Sequence, residues 1–347
     1  MDWLRNCWQV AAYAGEIGEG LLARTFLDEG VVLFRDAAGT PHALADRCAH
    51  RCLPLSRGRL VDGIVQCGYH GMRFNPDGSC AGVPGQDTIP ARATVPAYPV
   101  VERHGFIWIW MGDARAADPV RVPDAVWFAN PAWATASGYH HIGAEYRLLV
   151  DNLLDLSHET FVHQDTIGNG AVADSPVTAQ IVDGRVKVHR FMRDCPPPPF
   201  YTQTTGFTAN IDRWHTTYYE PPGYVVIENG SMPAGTDMAA AKQRRVLNFV
   251  TPETSTSSHY FWGVARQWDI ENHDLTEYIR KNVIRTFDQD KELLEAQQHV
   301  LSSDPALQAF PVTIKIDAGP ILGRRLLEAR IEEEHAQQHL ILEPAAR

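Results

Sequence analysis

The 347-residue sequence has no apolar run long enough to span a bilayer, and its first residues lack the basic and apolar regions of a secretory signal. It is also poor in positive charge. A formal net charge of −11 disfavours nucleic acid or an anionic membrane surface as a partner. We find no internal repeat and no glycine-rich fingerprint for a flavin or a nicotinamide. What remains is a globular composition in a chain long enough for two domains.

Cysteine is scarce, with only six residues in the whole chain. Two of these six fall in a metal-binding pattern, so the sequence offers little material for a disulfide framework. This usage indicates a reducing compartment. We therefore predict a cytoplasmic protein.

The most informative pattern is a pair of mixed arms, Cys48-x-His50 and Cys67-x-x-His70, separated by 16 residues. Two thiolates and two imidazoles suit a [2Fe–2S] cluster in which cysteine holds one iron and histidine holds the other. Because neutral imidazoles replace anionic thiolates, the reduction potential of such a cluster is raised. These four residues are thus predicted to hold an electron relay.

A structural zinc site uses the same donor types and is the alternative for these arms. Zinc fingers usually pair like with like, whereas each arm here mixes the two types. Gly68 and Gly71 flank the second arm and suit a loop whose backbone approaches sulfide closely. The mixed arms favour the cluster.

Residues 3–112 read as short β-strands separated by turns, with β-branched and aromatic runs at 31–34, 64–67 and 106–110. An Ala-, Pro- and charge-rich stretch follows at 113–123. We predict an all-β domain over 1–118 and a second domain over 119–347.

Beyond residue 139, strand-like stretches alternate with turn clusters, at 181–189, 216–219, 224–228, 246–250 and 259–264. Two helices are predicted to frame them, over about 147–162 and about 274–300. The proline run at 195–200 cannot continue a strand and predicts an extended loop.

The first of these helices carries His158 and His163, which could belong to a facial triad for non-haem Fe(II). Histidines five residues apart point about 140° apart on an ideal helix, so the helix must distort or end near His163 for both to bind one ion. The alternative is two histidines that merely face the core. Asp290 lies on the apolar stripe of the second helix, where a carboxylate is costly unless it is paired or metal-bound. Asp288 lies on the opposite, solvated face, so we predict Asp290 as the third ligand.

Asp155 precedes His158 by three residues, which makes their side chains neighbours on a helix. We predict that the Asp155 carboxylate accepts the imidazole N–H of His158 and orients it. If the cluster of another subunit docked here, Asp155 could also accept from one of its histidines and pass electrons. Asn152 either lines the iron pocket or caps and packs the helix.

Taken together, these motifs resemble those of the oxygenase component of Rieske non-haem iron oxygenases. The likeness is strongest to the vanillate O-demethylase group, with dicamba demethylase and toluenesulfonate methyl-monooxygenase. It extends over nearly the whole chain, through 68–72, 99–108, 151–163, 251–254, 260–263 and 289–296. The position of Asp290 matches the family position for the third iron ligand.

The resemblance implies an α+β chain, with an N-terminal all-β Rieske domain and a C-terminal helix-grip domain, an antiparallel sheet wrapped over a long helix. It implies a ring-shaped homotrimer in which the cluster of one subunit faces the Fe(II) of its neighbour. It also implies that a separate flavin and ferredoxin-type reductase supplies electrons from NADH.

The implied function is that of a terminal oxygenase component that uses O2 to oxidise a methyl or methoxy group of an aromatic acid. We favour O-demethylation of a vanillate-like methoxybenzoate with release of formaldehyde. Hydroxylation of an aryl methyl group, as in 4-toluenesulfonate, is the alternative within the class. Outside it stand a Rieske electron-transfer protein without catalysis and a zinc-organised binding module.

Substrate contacts are the weakest part of the sequence argument. We predict Glu228, Asn229 and Asn248 as contacts from predicted sheet ends and from the family likeness. An ordinary cross-strand hydrogen bond would also explain Asn248. For Arg213 we favour a surface position over a role in binding a carboxylate or sulfonate.

Overall fold

The computed structural model describes residues 3–304, 306–307 and 309–342, without the side chains of 338–342. These residues form two compact units. The first comprises residues 5–124 with the short segment Glu253–Ser255, and the second comprises most of the rest of the described chain from Ala125 onward. The predicted division into functional domains after residue 118 stays a prediction.

The first unit is built from β-strands alone, apart from single turns of 3-10 helix. Its eleven strands are β1 (Trp8–Tyr13), β2 (Leu22–Phe26), β3 (Glu29–Arg35), β4 (Pro41–Ala45), β5 (Arg59–Val61), β6 (Ile64–Gln66), β7 (Arg73–Phe74), β8 (Cys80–Gly82), β9 (Ala97–Tyr98), β10 (Val100–Arg103) and β11 (Phe106–Trp110). They form three small sheets, in the orders β1-β11-β10, β2-β3-β4-β9 and β5-β6-β7-β8. The all-β prediction for this part of the chain is confirmed.

The aromatic run in β11 forms the middle strand of its sheet and is buried at all five positions. A strand buried on both faces reads as a continuous apolar run instead of an alternating one. The sheet β5-β6-β7-β8 is less regular, and it carries the second of the two predicted cluster arms in the loop between β6 and β7. The first arm lies in the loop between β4 and β5.

The second unit is dominated by a seven-stranded antiparallel sheet in the order β12-β18-β17-β16-β15-β14-β13. Its strands are β12 (Ala134–Ile142), β13 (Val177–Val182), β14 (Arg185–Cys195), β15 (Ile211–Glu220), β16 (Tyr224–Pro233), β17 (Lys242–Thr254) and β18 (Ser257–Arg266). The helices are α1 (Tyr146–Leu154), α2 (Glu159–Val162), α3 (Gly170–Asp174), α4 (Pro199–Thr205), α5 (His273–Ser303) and α6 (Ala318–Leu342). The predicted antiparallel sheet with a long helix is confirmed.

Helix α5 begins where Asn272 caps it, with the Asn272 side chain accepting from the backbone N–H of Leu275. The helix buries Ile279, Thr286, Asp290 and Leu294, which are spaced by seven and then four residues and so lie along one face. That stripe sets the carboxylate of Asp290 inside the unit.

Two predictions about local structure are wrong, and one helix was missed. Residues 181–189 do not form one strand, because a turn at Asp183 and Gly184, both with positive φ, separates β13 from β14. The proline run does not remain extended, because Pro199 begins α4, where a missing N–H costs nothing. The long helix α6 was not predicted.

No helix in the described part of the chain is both long and apolar enough to cross a membrane.

Candidate metal centres and substrate cavity

The first candidate centre lies in the two loops of the β-unit. The loop after β4 folds back on itself, because the N–H of Cys48 donates to the Leu53 carbonyl and the N–H of Cys52 donates to the Cys48 carbonyl. The loop after β6 does the same, with the N–H of Cys67 donating to the Met72 carbonyl. Both thiols are thereby buried, with Cys48 and Cys67 only 2% and 3% exposed.

His50 and His70 occupy the outer side of the same two loops. Both are exposed, and their ring centroids are 4.7 Å apart. The two thiols and the two imidazoles line one small cavity. The structure therefore brings all four predicted cluster residues together, sulfur inside and nitrogen outside.

The donor set fits an iron–sulfur cluster. Burial raises the pKa of the Cys48 thiol, and the neighbouring Cys67 raises it further, so two thiolates here require a cation. The loops are also built for close approach: a Cβ on Gly68 would lie 2.7 Å from the Arg57 carbonyl oxygen. Gly71 has a φ of +74°, which favours glycine.

The second candidate centre depends on a break in the chain after α1. Helix α1 ends at Leu154, and Asp155 is extended, with φ −116° and ψ 100°. One turn of 3-10 helix and the short α2 follow, and α2 ends at Val162. The single helix predicted over about 147–162 is therefore wrong, whereas the predicted distortion or end of the helix near His163 is confirmed. The break brings the rings of His158 and His163 to 5.2 Å between centroids.

Asp290 of α5 completes this centre. Its Oδ1 lies 3.4 Å from Nε2 of His158 and 3.2 Å from Nε2 of His163. One potential ligand atom from each of the three residues lies within 4.8 Å of the other two. Two imidazoles and one carboxylate on one side of an ion make the donor set of non-haem Fe(II) oxygenases.

The outer nitrogen of each imidazole has its own acceptor. Nδ1 of His158 donates to the Asp155 carbonyl at 2.6 Å, and Nδ1 of His163 donates to Oε1 of Gln289 at 2.9 Å. Because the proton is held outside on Nδ1, the Nε2 atoms of both rings face Asp290 as metal-binding nitrogens.

Charge is concentrated at this point. Burial disfavours the Asp290 carboxylate, yet the two imidazoles hold its pKa well below the usual range. Burial likewise disfavours a charged His158, but the hydrogen bond to Asp290 raises the pKa of His158 to about 9. The Asp290 carboxylate is thus already paired with a proton on His158, which a metal cation would replace.

The prediction for the Asp155 side chain is wrong in one respect. It is the backbone carbonyl of Asp155 that accepts from His158, while its carboxylate accepts from the N–H of Ser157 at 2.9 Å. The reason is that α1 ends one residue earlier, so the helical neighbour relation between Asp155 and His158 does not hold. A role of Asp155 in electron transfer between subunits stays a prediction.

A cavity of about 730 Å³, counted with its mouth, opens beside the three metal-binding residues. Its walls are largely apolar, from Leu153, Leu156, Ile167, Phe200, Ile227, Val246, Val264, Val283 and Phe287. This combination provides a place for an apolar ring next to a metal.

Two of the four predicted substrate contacts line this cavity, namely Asn152 and Asn229. Nδ2 of Asn152 also donates to Oδ1 of Asp290 at 3.1 Å. The prediction is wrong for the other two. Glu228 lies on the opposite face of β16 from Asn229, because neighbouring strand residues alternate, and it pairs with Arg245. Asn248 is fully buried, its Nδ2 donates to the Val225 carbonyl, and its Oδ1 accepts from the Tyr260 hydroxyl.

Four polar residues beside the cavity were missed or misplaced by sequence reasoning. Arg213 is not at the surface but fully buried, and it lies 3.2 Å from Oε2 of Glu159 and 2.7 Å from Nε2 of His215. Because a guanidinium only donates, Nε2 of His215 accepts and the imidazole is neutral. Burial and the nearby arginines hold the pKa of His215 well below its usual value. Arg244, 2% exposed, lines the cavity.

Comparison with known protein families matches both halves of the chain. Residues 7–99 match the Rieske [2Fe-2S] domain, and residues 142–333 match the vanillate O-demethylase oxygenase C-terminal domain.

Curated relatives match over almost their whole length. The chain is 40% identical to a putative toluene-4-sulfonate monooxygenase system iron-sulfur subunit, TsaM2, of Comamonas testosteroni, over 96% of this chain and 98% of that protein. It is also 40% identical to a vanillate O-demethylase oxygenase subunit of a Pseudomonas species, over 90% of this chain and 97% of that protein.

A solved structure has the same fold. The crystal structure of dicamba monooxygenase bound to 3,6-dichlorosalicylic acid superimposes with a TM-score of 0.90 at 32% identity, covering 97% of this chain and all of that one. Another structure of dicamba monooxygenase contains non-haem iron and dicamba, at 30% identity and a TM-score of 0.83.

Proposed function

Because this chain belongs to the vanillate O-demethylase group of Rieske oxygenases, we propose that it is the oxygenase component of a monooxygenase that oxidises a methyl or methoxy group of an aromatic acid. The observation that carries this proposal is the opening of the His158, His163 and Asp290 site into a largely apolar cavity. A metal site beside a largely apolar space suits oxidation of an arene substituent.

The proposed enzyme contains two metal cofactors. Cys48, His50, Cys67 and His70 hold a [2Fe–2S] cluster, and His158, His163 and Asp290 hold Fe(II). When bound, the cluster supplies electrons and the iron supplies the activation of O2. The chain's own residues position the substrate and hold the ligands.

The apolar walls orient the arene and keep water away from the reacting carbon. Leu156, Ile227 and Phe287 line the cavity with His158 and Asp290. Asn152 donates to Asp290 and so fixes the orientation of that carboxylate. The reaction inserts one oxygen atom of O2 into a C–H bond and releases the other as water, which consumes two electrons and two protons. A hydroxylated methoxy carbon is a hemiacetal, and it collapses to a phenol and formaldehyde.

In this proposal, electrons reach the cluster from NADH through a separate flavin and ferredoxin-type reductase. The subunit and component names of the relatives support a separate partner protein. We further propose a homotrimer in which the cluster of one subunit faces the iron of the next, with Asp155 between them. The exposure of His50 and His70 and the partial exposure of Asp155 support it. The free cysteines suit a reducing compartment, which supports a cytoplasmic location.

Hydroxylation of an aryl methyl group is the second candidate. It is favoured by the 40% and 38% identity to two subunits named for toluene-4-sulfonate monooxygenase. Electron transfer without catalysis is disfavoured, because that function gives no reason for the two histidines and the carboxylate beside the cavity.

Turnover with a compatible reductase tests the proposal. Vanillate and 4-toluenesulfonate are supplied separately, and formaldehyde and hydroxymethyl product are measured. We expect formaldehyde from the methoxyarene and none from His163→Ala, which keeps the cluster but lacks an iron ligand. If 4-toluenesulfonate is hydroxylated and no methoxyarene yields formaldehyde, the assigned reaction becomes methyl hydroxylation instead of demethylation. No product from either class would overturn the proposal.

A further inference from the structure

Three arginine side chains are buried around the substrate cavity: Arg190, Arg213 and Arg244 are 3%, 0% and 2% exposed. A buried charge is costly unless another charge or strong hydrogen bonds compensate it. In the described residues Glu159, 4% exposed, is the fully buried carboxylate among them, and half-buried Asp155 lies near Arg190. Asp290 is already engaged by His158 and His163. The positive charge is therefore in excess here.

The three arginines differ in their partners. Arg213 forms an ion pair with Glu159, with Nη2 lying 3.2 Å from Oε2. Arg190 donates to the Val172 carbonyl and the Ser157 hydroxyl, which are neutral. Neither of these two arginines lines the cavity. Arg244 does, so it is the buried cation that a bound molecule can reach.

Arg244 is held firmly but is not neutralised. Its Nε donates to Oδ1 of Asn229 at 3.2 Å, and its Nη1 donates to the Thr204 hydroxyl at 3.3 Å. The guanidinium carbon lies 4.8 Å from the ring centroid of Phe200 and 4.4 Å from that of Tyr201. No carboxylate in the described residues forms an ion pair with Arg244. Burial and the nearby Arg213 lower the pKa of Arg244, whereas Tyr201 and Glu159 raise it. With no described carboxylate paired to it, the buried guanidinium would gain from an anion bound in the cavity.

We propose that Arg244 binds the anionic group of an aromatic acid, a carboxylate or a sulfonate, and so sets which end of the ring points away from the iron. A planar guanidinium is suited to oxyanions because it offers parallel N–H donors. Asn229 and Thr204 fix the plane of the guanidinium, while Phe200 and Tyr201 hold its faces. This inference deepens the proposed function and rests on it for the reaction itself.

The neighbouring residue supplies a matched control. Arg245 follows Arg244 on β17 and, by strand alternation, points to the other face, where its Nε lies 3.1 Å from Glu228. Arg244→Met and Arg245→Met therefore remove the same charge one residue apart, and only the first removes it from the cavity.

Binding is measured by calorimetry on the holoenzyme, without reductase, with 3-methoxybenzoate, 4-toluenesulfonate and the neutral methyl 3-methoxybenzoate as probes. We expect Arg244→Met to weaken binding of the anions by about tenfold or more, as loss of a charge-assisted hydrogen bond does, and to change ester binding by less than about threefold. Arg245→Met should leave all three unchanged. The anion with the larger loss identifies which oxyanion the site prefers.

The proposal is overturned if the wild type binds the ester as tightly as the acids, or if it binds neither anion. It is also overturned if Arg244→Met weakens ester and acid binding equally, or if Arg245→Met weakens anion binding as much as Arg244→Met does. If Arg244→Met does not fold, Arg244→Lys, which keeps the charge but not the planar donors, should still weaken the anions selectively. If anions bind selectively but neither formaldehyde nor hydroxymethyl product forms, the proposed function is wrong and the role of Arg244 stands. Product formation with unselective binding would sink only the role of Arg244.

Discussion

Asn152 and Asp290 are 138 positions apart in the sequence, yet Nδ2 of Asn152 donates to Oδ1 of Asp290 at 3.1 Å. The same oxygen is the one nearest to His158 and His163. The contact joins α1 to α5 at the metal-binding residues and borders the cavity. Asn152 is therefore placed to control both the carboxylate that binds iron and the space that holds substrate.

Asn152→Ala should weaken iron binding by about tenfold or more, because the carboxylate loses the donor that orients it. Iron per chain after dialysis against a weak chelator measures the effect. The visible spectrum of the cluster, held by other residues, is the internal control and should not change. Full iron retention by the variant would show that Asn152 only lines the cavity.

Gln289→Leu should also lower iron affinity by about tenfold or more, because Nδ1 of His163 loses the acceptor that fixes its tautomer. Glu292→Gln, at an exposed position on the same helix, is the matched control and should retain iron. Equal iron content in the two variants would contradict the role given to Gln289.

Asp155→Asn should leave both metal centres loaded and slow delivery of electrons to the iron by about tenfold or more. The iron should stay because His158 donates to the backbone carbonyl of Asp155, and an asparagine can still accept from the Ser157 N–H. Rapid single-turnover kinetics with the pre-reduced protein report the rate. If iron content fell while the single-turnover rate held, Asp155 would support a ligand and not an electron path.

The pH dependence of stability should carry the signature of His215. Its folded-state pKa is depressed by burial and by Arg213, Arg190 and Arg244 around it. Below about pH 6.5, His215 is therefore protonated in the unfolded chain but stays neutral in the folded chain. The free energy of unfolding consequently falls as the pH drops, by at most about 1.4 kcal/mol per pH unit.

His215→Gln should flatten this dependence, because glutamine keeps an acceptor for Arg213 and does not titrate. Thermal unfolding of the wild type and the variant between pH 5 and 7, compared at equal iron loading, measures it. Parallel curves for the two proteins would mean that other groups set the acid limit.

The sequence predicted which residues the structure brings together at each candidate metal centre, because most of those signals are local. All four residues of the two mixed cysteine–histidine arms lie within 23 residues, from Cys48 to His70. Asp290 was separated from Asp288 by its position on the apolar stripe of one helix, and the structure buries the first and exposes the second. The break after Leu154 was not predicted, since the two histidines required only that the helix distort or end near His163.

The lining of the cavity could not be predicted in the same way. Strand β15 is buried at eight of its ten positions, so the alternation that separates inside from outside is absent, and Arg213 reads as a surface charge. Its partner Glu159 is 54 residues away. Arg244 stands in a polar run, Lys242-Gln-Arg-Arg, whose neighbours give no sign that it is buried. Such long-range charge pairing overrides local pattern.

The iron content of the reconstituted protein tests the account most directly. Two irons in a cluster and one in the His158, His163 and Asp290 site predict about three per chain, with the rhombic electron-paramagnetic signal of a reduced mixed-ligand cluster. His163→Ala should keep that signal and about two irons. A wild-type protein that bound only two irons, or a variant that lost the cluster signal with the third, would contradict two separate centres in one chain.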